Sequence, residues 1–518
     1  MKRPICPILW RITVGAAALS LLTGCTLTER LDAVPSGSIP SAASRKPHGA
    51  IDMALPYYTA EKVNPITSTS IINRVVCEAL YEGMFILNEQ FQPEPLLCER
   101  YELTGTRCTL VLKEGLLFSD GSPVTAEDVV ASYRLAQRTP ASPYHDRTSY
   151  MSSIRATDSR TVRITLTAAN SRFLSLLDIP IFKKGTENNP FAVGTGAFSV
   201  AEQEGEPVLL PNPNWHRGAV RTVTQIGLVG TVRPDAVTSS FAVGDISMTR
   251  AERICDNPVT IKGAVDVYQT PTTELHYLGI RASHPLLANE NFRKALSLAI
   301  DRDLLCKSSL QTFADPAVLP INPQPDNHAN LSSSLKQANA YLRQMGIEDK
   351  NGDGRVEDAS GSPISLTLLC NSENSFKRNV CSQLVTVFSH LGIELRINAV
   401  PFAQYQEALN SGMFDLYYGD ILMTPDFDLR ALLMTGGSLN FGRFSDLTLD
   451  QHIMTVRTAS AETLPQAEAA FEEYFLAKMP ILPLAFERDQ VIVRSGLLAN
   501  FNPRPDQMFW APADWRLE

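Results

Sequence analysis

Asp349, Asn351, Asp353 and Glu357 place side-chain oxygens at positions 1, 3, 5 and 9 of a loop that carries Gly354 at position 6. This spacing resembles a calcium loop, which wraps oxygens around a hard cation. Position 12 is Ser360, however, which cannot supply a bidentate carboxylate. The run Pro363-Ile-Ser-Leu-Thr-Leu-Leu369 after it reads as a strand and not as an exiting helix. A solvated Asp/Gly turn is the better reading. Val193-Gly-Thr-Gly196 is glycine-rich, but it is not GxGxxG followed by a helix. Ala197-Phe-Ser-Val200 reads as a strand, so phosphate cradling is not expected there. The chain has no G-x-S-x-G elbow, no HExxH and no Walker lysine. The expectation is therefore no catalytic residue, no cofactor and no metal site. A scattered Ser/His/Asp triad is left open.

The cysteines are Cys6, Cys25, Cys77, Cys98, Cys108, Cys255, Cys306, Cys370 and Cys381. None forms CxxC, and His numbers 8, which speaks against zinc. Setting aside Cys6 and Cys25 leaves seven, an odd number, so at least one thiol is free or pairs elsewhere. Cys98 and Cys108 could close a hairpin; buried free thiols are the alternative.

These residues sit in a chain of 518, with 46 Lys+Arg against 55 Asp+Glu and a net charge of -9. That balance argues against a nucleic-acid partner, which needs a basic face. A hydrophobic fraction of 44% with 19% charged residues is that of a globular body. Residues 1–25 read as a targeting segment. Lys2, Arg3 and Arg11 flank a short apolar run, Ile12 to Leu22, too short to cross a bilayer stably. Leu22-Thr-Gly-Cys25 follows, and this order resembles a bacterial lipobox with Cys25 as the lipidated residue. Residues 26–48 are rich in Ser, Pro and Ala and read as a flexible tether.

Along the body, helix and strand signals alternate. Thr109–Lys113 and Thr161–Leu166 read as strands, the second with a period of two. Thr125-Ala-Glu-Asp128 opens a helix as a capping-box variant. Asn291–Lys307, Phe376–Leu391 and Thr463–Met479 read as helices, the last leading into an apolar strand, Ile481–Phe486. The expected class is α/β.

The segments Leu80-Tyr-Glu-Gly-Met84, Phe118-Ser-Asp-Gly-Ser-Pro-Val-Thr-Ala-Glu-Asp-Val129, Asn189-Pro-Phe-Ala-Val-Gly-Thr-Gly-Ala-Phe198, Asn212-Pro-Asn-Trp215, Tyr277-Leu-Gly-Ile280 and Phe292-Arg-Lys-Ala-Leu-Ser-Leu-Ala-Ile-Asp-Arg302 follow in order. Together, over roughly residues 50 to 515, they resemble the family 5 extracellular solute-binding proteins of ABC importers, which include oligopeptide- and dipeptide-binding proteins. The resemblance implies a periplasmic-binding-protein-like fold of two lobes with an extra inserted domain. Its hinge would close the lobes on a ligand. Mapped here, domain I takes residues 49–85, 190–272 and 487–518, domain II takes 86–189, and domain III takes 273–486.

Peptide-binding relatives carry an aspartate that pairs with the ligand α-ammonium, because a buried ammonium needs a carboxylate. Ungapped counting from Phe414-Asp415 puts Thr424 at that position, with Asp420 before it and Asp426 after it. One of the two is expected to substitute, with Asp426 favoured. Arg378, at the helix start after Asn371-Ser-Glu-Asn-Ser, is the candidate for the ligand carboxylate. Asn440 and Tyr418 complete the ligand-binding set. The resemblance thus implies a monomeric, exported, membrane-anchored lipoprotein that hands a small peptide to an ABC permease without catalysis. The alternatives are a receptor for a nickel chelate, haem, glutathione or a sugar, and a lipoprotein outside transport.

Overall fold

In the computed structural model the described residues are 52–233, 236–255, 260–261, 263–321 and 332–518. The targeting segment, Cys25 and the tether lie outside them.

The chain opens with β1 (Met53–Tyr58) and α1 (Ile71–Leu80). An insert follows, with β2 (Cys98–Thr104), β3 (Arg107–Leu112), α2 (Ala126–Arg138), β4 (Met151–Ala156) and β5 (Thr161–Leu166). Its sheet order is β2-β3-β5-β4, all antiparallel. The chain then returns through β6 (Phe198–Gln203), β7 (Glu206–Pro211) and β8 (Ile226–Thr231), where β8 lies parallel to β1. The capping box at α2 forms: the Asp128 carboxylate accepts from the Thr125 amide at 2.8 Å and from its hydroxyl at 2.6 Å. The glycines of Val193-Gly-Thr-Gly196 serve a close approach. A Cβ on Gly194 would stand 2.0 Å from the Leu80 carbonyl oxygen, and one on Gly196 2.4 Å from that of Ala79.

The largest sheet has seven strands. Six of them are β9 (Met248–Ala251), β10 (Val265–Ile280), β11 (Ser365–Asn371), β12 (Glu394–Val400), β13 (Leu416–Leu422) and β14 (Ile481–Arg494), in the order β9-β14-β10-β13-β11-β12. The seventh, Ala314–Pro316, pairs with β14. The helices used below are α3 (Glu290–Ala299), α4 (Arg302–Ser308), α5 (Ser375–Ser389), α6 (Leu447–Thr458) and α7 (Leu464–Lys478).

One expectation is corrected, and one open alternative is decided. The single helix at Asn291–Lys307 is broken at Ile300, whose ψ of 111° is extended, because the Asp301 side chain caps α4 by accepting from the Leu304 amide. Cys98 and Cys108 are free, since the register places Leu112 opposite Cys98 and Leu103 opposite Cys108.

Hydrophobic cores form at both ends of β10 and β14. Tyr268, Val491 and Val493 pack in a core shared by the β1 sheet and the insert. Farther along, Leu278 and Leu482 face one core with α5, while Leu275, Tyr277 and Phe486 face another with α6 and α7. The β10–β14 register shifts between Pro271 and Leu275, where the two strands pass from the first packing region to the second. A bulge there bends the strands and breaks the ladder locally.

Candidate ligand-binding site

The alternation of side chains along β10 sends Glu274, His276 and Leu278 to one face and Leu275 and Tyr277 to the other. On β13, Asp420 lies opposite His276, and Tyr418 opposite Leu278. Glu487 comes from β14, and Lys377 from the first turn of α5. These side chains form one polar cluster at the end of an otherwise apolar face. Lys377 Nζ is 2.8 Å from Asp420 Oδ1, and His276 Nε2 is 3.4 Å from Glu487 Oε2. His276 Nδ1 is 3.0 Å from the Tyr418 hydroxyl. The amide of Ile254, in the loop after β9, donates to Glu487 Oε1 at 3.3 Å. Asn374, which caps α5, donates to the Ile254 carbonyl at 3.4 Å. The cluster thus lies where the loop after β9 meets the start of α5.

Its electrostatics are those of crowded carboxylates in a desolvated place. Burial, then the Glu487 and Asp420 carboxylates, push Glu274 well above the usual range. Burial and Asp489 do the same for Glu487. Burial also lowers His276. Asp420 goes the other way: burial opposes its ionisation, but the Lys377 ammonium and His276 hold its carboxyl below the ordinary value. His276 and Glu487 are buried, whereas Asp420 keeps 27% of its side chain exposed.

Asp426 belongs to a second polar group. Its Oδ1 accepts from the Thr424 hydroxyl at 2.6 Å and its Oδ2 from Asn170 Nδ2 at 2.8 Å, with Arg457 Nη1 at 3.7 Å. Asp428 accepts from the Tyr150 hydroxyl at 2.5 Å and from Arg430 at 2.8 Å. The Ser171 amide donates to the Arg457 carbonyl at 2.7 Å, Arg172 pairs with Glu468, and Phe91 meets Phe427 edge-on at 5.8 Å. A pocket lies along this seam, lined by Asn170, Arg172, Phe427, Arg457 and Phe471 among others. The seam joins the insert to the elements around α6 and α7.

Of the residues singled out from sequence, the structure brings Asp420 and Tyr418 into one cluster. Asp426 is buried at the seam with its oxygens engaged. Arg378 is exposed and donates to the Ser372 carbonyl, and it is the neighbouring Lys377 that reaches Asp420. Asn440 Nδ2 donates to the Met434 and Phe444 carbonyls at 3.0 and 2.7 Å, which ties down its own loop. Sequence reasoning missed Glu274, His276 and Glu487. The signal available was two ionisable residues two positions apart in the apolar end of a strand, which period two places on one face.

A family model described as bacterial extracellular solute-binding proteins, family 5, matches residues 92–441. The chain belongs to this family. A family 5 relative from Escherichia coli, the periplasmic murein peptide-binding protein MppA, is 23% identical over 464 residues, covering 82% of this chain and 85% of MppA. The oligopeptide-binding protein AppA of Bacillus subtilis is 23% identical over 407 residues, covering 73% of this chain and 71% of AppA. Among solved structures, the unliganded open form of MppA superposes with a TM-score of 0.73 at 19% identity, over 90% of this chain and 97% of that one. NikA from Brucella suis in complex with Fe(III)-EDTA gives 0.68 at 17% identity, over 90% and 100%. The fold is therefore the family's two-lobed α/β fold, and the chain is an ABC substrate-binding protein. Among the described residues, no helix is long and apolar enough to cross a membrane.

Proposed function

We propose that this chain captures small peptides between two lobes and delivers them to an ABC permease, as a monomer and without chemistry. The domain ranges given above supply the lobes, with β10 and β14 as the hinge strands, and Cys25 supplies a lipid anchor to the membrane. The observation that carries the peptide reading is Asp420, an ionised and partly exposed carboxylate at the boundary between the loop after β9 and α5. Such a carboxylate is a partner for an α-ammonium, because an amine leaving water needs a charge-assisted hydrogen bond. Lys377 beside it holds the carboxylate ionised and orients it. MppA and AppA, both named as peptide binders, support the reading.

Calorimetric titration of a bound peptide and its N-acetylated form, against wild type and Asp420→Asn, tests this. Acetylation is expected to cost wild type on the order of 3 kcal/mol, more than about a hundredfold in affinity. The same acetylation should cost Asp420→Asn much less. Equal losses in both proteins would separate the amine from Asp420. Wild-type affinity untouched by acetylation would overturn the peptide-amine reading itself.

A further inference from the structure

Glu274, His276 and Glu487 form a set that the peptide reading does not use. Each offers one ligand atom, and the three atoms lie within 4.8 Å of one another. A tetrahedral ion with bonds of about 2.0–2.1 Å holds its ligand atoms about 3.4 Å apart. His276 Nε2 and Glu487 Oε2 are already 3.4 Å apart. We propose that Glu274, His276 and Glu487 bind one divalent transition ion of the zinc, cobalt or nickel class, directly through protein side chains.

The surroundings of the three side chains support this site. The Tyr418 hydroxyl sits 3.0 Å from His276 Nδ1, the outer contact that metal-bound imidazoles make to fix the ring and turn the other nitrogen to the ion. In the tautomer that carries its proton on Nδ1, toward the Tyr418 hydroxyl, Nε2 offers its lone pair to an ion beside Glu487 Oε2. An imidazole with two carboxylates suits a borderline ion and not calcium or magnesium, which take oxygen alone. The half-buried Glu274 provides the way in from solvent. His276 and Glu487 belong to the two strands that join the packing regions, so a bound ion would pin β10 to β14 beside the register shift.

The test is titration of the chelator-treated mature chain with cobalt(II) chloride and with zinc chloride, followed by calorimetry and, for cobalt, by visible d–d absorption. One ion per chain is expected, with a low-coordinate nitrogen/oxygen spectrum. Tyr418→Phe should weaken binding by about 10- to 100-fold with the spectrum retained. Glu274→Gln, a shape-conserving change at a partly exposed position, should weaken it at least as much, with unchanged circular dichroism as the check on folding. The exposed Asp349–Asp353–Glu357 turn is the competing group. Binding lost in Asp353→Asn but kept in Glu274→Gln would overturn the proposal, and so would the absence of stoichiometric binding to wild type. Peptide affinity measured in chelator separates the two readings: if it persists while ion binding fails, only the ion site falls.

Discussion

Asp120, in the turn that opens α2, is partly desolvated, which raises its pKa. Hydrogen bonds from Lys183 and from the Ser122 hydroxyl and amide outweigh this and hold it down to about 2. Because the folded value lies below the unfolded one, the stabilisation is present above about pH 4 and is lost as pH falls toward 2. The pair is exposed, with 32% and 38% of the two side chains accessible, so its worth is under about 1 kcal/mol. Asp120→Asn is therefore expected to lower the melting temperature slightly at pH 6, with the gap to wild type closing at pH 2.5. A gap that does not change with pH would assign the loss to the turn and not to the charge. Asp426 shows what sequence position alone cannot convey. It stands two residues from the expected amine partner, yet Asn170, 256 positions away, takes its carboxylate. Nothing local to Thr424-Pro-Asp426 announces that partner. Lys377 and Arg378 are equally uninformative as neighbours in sequence, and only the phase of α5 decides which one turns inward.

At the scale of elements, period and capping were the readable signals. Thr161–Leu166 is a strand at those bounds, and the Thr125/Asp128 box opens α2. The helix read across Ile300 failed because the cap at Asp301 competes with continuation, and a periodic apolar face does not register that. The Tyr277-Leu-Gly-Ile280 motif gains its physical reason only from pairing. In the β10–β13 register, Gly279 lies opposite Tyr417 and Tyr277 opposite Gly419. Each tyrosine ring lies over the other strand's glycine: a Cβ on Gly279 would fall 1.9 Å from the Tyr417 ring, and one on Gly419 2.5 Å from the Tyr277 ring. Gly279→Ala should then cost about 1–3 kcal/mol or more through forced displacement of a buried ring. Chemical denaturation measures this; a change below about 0.5 kcal/mol would mean that Tyr417 has somewhere else to go.

For the whole molecule, the family fold was legible because many weak motifs fell in one order. The ligand was not, because the candidate site draws its side chains from β10, β13, β14 and α5, which lie far apart in the sequence. With β10 and β14 as the proposed hinge strands, saturating peptide should reduce the radius of gyration in small-angle scattering through hinge rotation. An unchanged radius at proven saturation would contradict lobe closure. The insert complicates the motion. Its contacts, through Asn170 with Asp426 after β13 and through Ser171 and Arg172 with α6 and α7, must either break on opening or travel with it.

The placement of β14 also sets an order of events during synthesis. It is the last long strand of the chain, yet it runs between β9 and β10 in the interior of the largest sheet. Met248 of β9 finds its partner at Val493, and Leu275 of β10 finds one at Phe486. Both pairings span more than two hundred residues, so each must close a very long loop before it gains a contact. Until a ribosome has released the C-terminal region, β9 has no neighbour in the sheet and β10 has only β13. The two halves of the molecule can condense separately around their own cores, but they are stitched into one body by the last long strand to arrive.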